Sequence, residues 1–100
     1  MNAGEYGIIF RLGVGFDLSA NTALSLTFTR PDNTTLTVSN PSVTAPNSAG
    51  GSFSADQYFQ YTFADGDVGS GDAGTWSVRG TYTDGSKQLI SDAATFTVNP

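Results

Sequence analysis

Asp65, Asp67 and Asp72 form the densest cluster of side chains able to do chemistry, three carboxylates with glycines between them. Such a segment could wrap carboxylate and carbonyl oxygens around a hard cation such as calcium. It lacks the further oxygen positions and the terminal bidentate Glu of a helix–loop–helix calcium site, so a solvated turn is expected and the three aspartates are weak metal candidates. Read as the acid and base of a glycoside hydrolase, the carboxylates would need to face each other across a cleft ~5–9 Å wide, and nothing in the sequence implies one. The chain has no His and no Cys, which removes the commonest general base, the commonest metal ligand and every thiolate. Ser and Thr abound, yet without His or a Ser-x-x-Lys arrangement no hydroxyl has an activating base. Neither catalysis nor a cofactor is expected.

Trp76, Tyr58, Tyr61 and Tyr82 offer a second chemistry, because exposed rings on a sheet can stack on sugars. In a domain of 100 residues most large rings are needed inside, where they dominate the buried area. A carbohydrate-binding or adhesion module is therefore the alternative reading. The net charge of -5 leaves only Arg11, Arg30, Arg79 and Lys87 as cations, too scattered for the basic stripe of a nucleic-acid binder or of a protein held on an anionic membrane. No apolar run approaches the ~20 residues of a spanning helix. Met1 to Glu5 carry no basic segment followed by an apolar stretch, so synthesis in the cytosol is expected.

The elements that must position these residues are strands. Thirteen Thr, eleven Ser and twelve Gly favour strands and turns over helices. From Ile8 the alternate residues Phe10, Leu12, Val14 and Phe16 put apolar side chains on one face of a first strand. Leu24, Leu26 and Phe28 alternate with Ser and Thr in a second, and Pro31-Asp32-Asn33-Thr34 turns the chain into a hairpin returning through Leu36 and Val38. Residues 41–56 read as a long loop, and Met1 to Gly7 as a flexible arm. Phe59, Tyr61 and Phe63 alternate with Tyr58, Gln60 and Thr62, so this strand has rings on both faces. It is either central or covered by another subunit. Trp76, Val78, Gly80 and Tyr82 share a face opposite a polar one, Asp84-Gly85 favours a tight hairpin with φ > 0, and Asp92-Ala93-Ala94 marks a bulge before Phe96 and Val98. One domain over residues 1–100 is expected, an antiparallel β-sandwich of six to seven strands.

Asp72-Ala73-Gly74-Thr75-Trp76-Ser77-Val78 resembles the Asp-x-Gly-x-Tyr-x-Cys approach to strand F of immunoglobulin domains, with Trp for Tyr and Val for Cys. The resemblance implies that Trp76 anchors a corner and Val78 faces the intersheet core. Over residues 8 to 98, Phe10-Arg11-Leu12 to Asp17-Leu18-Ser19, then Leu24 to Asp32, then Gly74 to Val78, look like the immunoglobulin-like structural proteins of tailed bacteriophages, including amino-terminal modules of baseplate proteins. The implied fold is an all-β, immunoglobulin-like sandwich. The implied function is a non-enzymatic virion protein, made in the host cytoplasm and attached in many copies to capsid or to neck and tail proteins. Its expected partners are other virion proteins and copies of itself. The arm, with Tyr6 and Gly7, the loop, with Pro46 and Asn47, and the rings of Tyr58 and Tyr61 are the expected contact elements. Phe28, Trp76, Val78 and Tyr82 are expected to be structural.

Overall fold

Alternation of apolar and hydroxyl side chains folds the chain into strands, because a strand points successive side chains to opposite faces. The computed structural model describes residues 1–40, 43–44 and 54–100. Its strands are β1 (Ile9–Gly13), β2 (Ala23–Thr29), β3 (Thr35–Ser39), β4 (Tyr58–Thr62), β5 (Gly74–Thr83), β6 (Gln88–Ile90) and β7 (Ala94–Val98). All pair antiparallel in two sheets. One contains β1 and β4; the other runs β3-β2-β5, with β6 and β7 both on the far edge of β5. The result is an open, sandwich-like all-β fold.

The inward rows are those the alternation indicates. Leu24, Leu26 and Phe28 of β2 and Trp76, Val78 and Tyr82 of β5 are buried, together with Leu12 and Phe59 from the smaller sheet. The outward positions of the larger sheet include Ser25, Thr27, Thr29, Ser77 and Thr81, whose hydroxyls stay near water, the threonines also favouring strands. Phe28 lies at the centre of the aromatic packing, with the rings of Phe10, Phe63, Phe96, Tyr61 and Trp76 at centroid distances of 5.1, 5.2, 6.1, 6.1 and 6.3 Å. Gly80 gives Phe59 its place: a Cβ there would lie 2.5 Å from Phe59 Cε1.

The turns form largely as expected. Asn33 takes φ 70°, and Asp32 Oδ1 accepts from the Thr34 N–H at 3.0 Å, closing the β2–β3 hairpin. The β5–β6 hairpin closes for a different reason from the one its Asp-Gly pair suggests. Gly85 is not in the positive-φ region; instead Asp84 Oδ1 accepts from the Ser86 and Lys87 N–H groups at 2.7 and 3.0 Å. The first strand is also shorter than its apolar period. It stops at Gly13, and Gly15 with φ 72° bends the chain, while Phe16 still reaches Tyr82 at 6.2 Å between ring centroids.

The bulge is present. Ser91–Ala93 stand opposite only Arg79 and Gly80, between the β6 and β7 pairings with β5. Ser91 N–H donates to the Gly80 C=O, and its Oγ accepts from the Gly80 N–H, both at 2.9 Å. The side chain thus replaces the ladder bond that the extra residue displaces. In Ser91→Ala the buried Gly80 N–H loses its acceptor, and the expected loss is ~1–3 kcal/mol in urea unfolding. Unchanged stability would contradict this role.

The arm is not a free segment. Asn2 pairs parallel with Asn99, Gly4 and Gly7 N–H groups donate to the Val68 and Phe63 carbonyls at 2.9 and 2.8 Å, and Met1 and Ala3 pack against the core. It has no core of its own, but it borrows that of the sandwich. Within residues 41–56, Val43 is buried and Thr44 exchanges backbone bonds with Gln60 on β4, so this part of the expected loop extends the smaller sheet. Pro46 and Asn47 lie outside the described residues.

Candidate functional site

The connection from β4 to β5 folds around its own aspartates. Asp67 Oδ2 accepts from the Tyr61 hydroxyl and from the Ala64 N–H. Asp72 Oδ2 accepts from the Gly69 N–H at 2.8 Å and faces Arg30 Nε at 3.6 Å. Asp65 is exposed. Arg30, at the end of β2, draws this corner together: it also donates to the Asp67 carbonyl at 3.1 Å, and its guanidinium lies 5.4 Å from the Trp76 ring centroid. The Trp76 Nε1–H then donates to the Asp72 carbonyl at 2.8 Å. Asp67 and Asp72 thus serve as acceptors for the turns that bring the chain into β5. Among the described residues no group of three or more His, Cys, Asp or Glu side chains is placed to hold a metal ion.

The phenols are held protonated. Burial, and then the bond to Asp67, push Tyr61 up to about 12. The bond to Asp84, and then burial, push Tyr82 up to about 12. The Tyr82 ring is buried while its hydroxyl reaches the turn, where it donates to Asp84 Oδ2 at 2.6 Å. Hydrogen bonds hold three turn carboxylates below the usual range: the Ser19 N–H at Asp17, the Thr34 hydroxyl and N–H at Asp32, and chiefly the Tyr82 hydroxyl at Asp84. These three are therefore ionised at neutral pH and hold no proton for general-acid chemistry there.

A titration follows. Because folding raises both phenol pKa values, the folded state retains two protons that the unfolded chain loses near pH ~10. The associated stabilisation is complete below that pH and is lost as pH rises toward ~12. Phenolate absorbance is expected to report Tyr61 and Tyr82 still protonated at pH ~11 in the folded protein, with ionisation coupled to alkaline unfolding. Release of the Tyr61 and Tyr82 protons near pH 10 without unfolding would contradict it.

The rings proposed for contact or sugar stacking lie inside. Tyr58, Tyr61, Tyr82 and Trp76 are 2, 6, 2 and 0% exposed. Tyr58 and Tyr61 therefore offer no face for another subunit to cover, and none of the four offers one to a sugar. Within β4, Tyr58, Phe59 and Tyr61 are buried by this chain, while Gln60 is half-buried and Thr62 exposed. Phe28, Trp76, Val78 and Tyr82 are buried in the hydrophobic core. Tyr6 and Gly7 are exposed. Two shallow surface depressions, one around Thr44, Gln60 and Thr62 and the other around Thr22, Ser39, Asn40 and Gln88, are lined by hydroxyls, amides and apolar groups without a carboxylate or cation.

Sequence reasoning named Asp84 only as half of an Asp-Gly turn and Arg30 only as one of four scattered cations, and it did not single out Ser91. Arg30 carried a weak signal, as a lone cation beside a Pro-Asp turn, but its partners lie 37 and 42 residues further along the chain. No protein-family model, curated protein or solved structure matches the chain.

Proposed function

We propose that this chain is a non-enzymatic structural protein of a bacteriophage virion, an immunoglobulin-like sandwich attached in many copies to capsid or to neck and tail proteins. The observation that carries the reading is the corner at the start of β5. In immunoglobulin domains a tyrosine near the start of strand F bonds back to backbone a few residues upstream; here the Trp76 indole bonds to the Asp72 carbonyl within the segment Asp72 to Val78 that resembles that approach to strand F, the part Gly74 to Val78 being shared with the phage resemblance. The strand order supports it. If β1 and β4 are taken as strands B and E, and β2, β3, β5 and β6/β7 as C, C′, F and G, the pairings are compatible with an immunoglobulin-like order, with no named strand standing for A or D.

The surface supports an attachment role over recognition of nucleic acid. Arg30 is engaged with Asp72 and Trp76, and Arg11 and Arg79 stand on the outer faces of different sheets, so the cations converge on no one patch. No helix among the described residues is long and apolar enough to cross a membrane. The carbohydrate-binding alternative needs exposed rings and loses its four candidates to the core.

The test is density-gradient purification of particles from lysates of cells that produce the chain, followed by immunoblotting. The expected result is the chain in the particle band in many copies per particle. Its confinement to the soluble fraction at the top of the gradient would overturn the proposal.

A further inference from the structure

The smaller sheet is two strands wide where the larger is four, β6 and β7 sharing one edge position, so it covers only part of its partner. Thr44 extends it beyond β4. No described residue pairs with the other side of β1. The Phe63 N–H donates to the Ile8 carbonyl and the Val14 N–H to the Gln57 carbonyl, both at 3.0 Å, which turns the even positions of β1 toward β4. In an antiparallel ladder the N–H and C=O groups of Ile9, Arg11 and Gly13 then point outward along the open edge. Of the four exposed large apolar side chains among the described residues, three adjoin the start of this strand: Tyr6, Ile8 and Ile9, at 62, 38 and 50%.

From this edge we infer a homodimer, in which β1 of one copy pairs antiparallel with β1 of a second about a two-fold axis through Arg11. The edge is complementary to itself, as an isologous contact requires. With Arg11 opposite Arg11, the strand places Phe10 against Leu12 and Ile8 against Val14 of the second copy, so apolar side chains meet along the inner face. On the outer face Ile9 stands opposite Gly13 of the second copy, where no Cβ competes for space. Every outward backbone group of Ile9, Arg11 and Gly13 gains a partner, and the two small sheets join into one four strands wide, β4-β1-β1-β4.

Arg11 is the one feature opposing the pairing, since like charges directly opposite destabilise a sheet and charged side chains guard edges. Here its Nε donates to Gln60 Oε1 at 3.1 Å, drawing the guanidinium back over β4 and away from the edge. The homodimer does not depend on the virion reading and stands even if particles lack the chain.

Sedimentation velocity and native mass spectrometry of the purified chain, Ile9→Lys and Arg11→Thr test it, with circular dichroism confirming that both variants fold. The expected result is a dimer whose dissociation constant rises about tenfold or more in Ile9→Lys, falls several-fold in Arg11→Thr, and falls as salt screens the arginine pair. Slower hydrogen exchange of the Ile9, Arg11 and Gly13 amides is expected as concentration rises. A monomer up to about millimolar concentration, or a dimer unaffected by both substitutions, overturns the inference; so does protection of these amides only when a different polypeptide is added.

Discussion

Trp76→Ala is expected to cost ~3–5 kcal/mol of folding stability, the usual penalty for emptying a large aromatic site in a core. Trp76 is fully buried and packs 5.7 Å from Phe96 and 6.3 Å from Phe28, ring centroid to centroid. It also satisfies the Asp72 carbonyl and lies against the Arg30 guanidinium. A domain of this size has only ~5–15 kcal/mol to lose. Trp76→Phe separates the two contributions: it keeps a ring but leaves the Asp72 carbonyl without its indole donor, at an expected ~1–3 kcal/mol. Urea unfolding followed by circular dichroism gives both numbers. If alanine and phenylalanine cost the same, the corner bond rather than the ring is what matters; if neither costs more than ~0.5 kcal/mol, Trp76 does not anchor the core.

Gly80→Val is expected to destabilise by ~3 kcal/mol or more, and Gly80→Ala by ~1–3 kcal/mol, because both overfill the contact between the sheets. A Cβ at this position would meet three Phe59 ring atoms at 2.5–2.9 Å, and Phe59 is fully buried, so the ring has no open space into which to retreat. The bulge adds to the constraint, since both Gly80 backbone groups are bonded to Ser91 and the strand cannot shift away freely. A double-mutant cycle with Phe59→Leu is expected to recover part of the loss, the coupling that direct contact produces. Equal stability of Gly80→Ala and the parent protein would contradict the close approach.

These two sites mark what could be read from the chain and what could not. The periodicity of Leu24, Leu26 and Phe28, and of Trp76, Val78, Gly80 and Tyr82, placed the inward rows correctly because a half-buried strand writes its burial as alternation. The Asp92-Ala93-Ala94 irregularity likewise announced the bulge. What alternation does not encode is which element covers a face. Tyr58 and Tyr61 have the same pattern whether a neighbour or the chain itself buries them, and only the tertiary arrangement distinguishes the two. The docking of the arm is silent in the sequence for a related reason: Met1 to Gly7 lack an apolar period, yet backbone bonds to Phe63, Val68 and Asn99 require none. The aspartates of the β4–β5 connection were visible as turn residues, but Arg30, which joins them to Trp76, comes from the end of β2.

The chemistry-bearing residues therefore converge on architecture. Asp67 orders a turn and accepts a hydrogen bond from the Tyr61 hydroxyl, Asp72 meets Arg30, and Asp84 closes a hairpin. Attachment rather than turnover is the role proposed for a chain so arranged, with its open edges as the means. A side-chain-resolution cryo-electron microscopy map of the particle tests that role most directly. The expected map contains repeated copies of a seven-stranded sandwich with the Trp76 corner, seated on capsid or tail subunits through strand edges; a map fully explained by other polypeptides would contradict it.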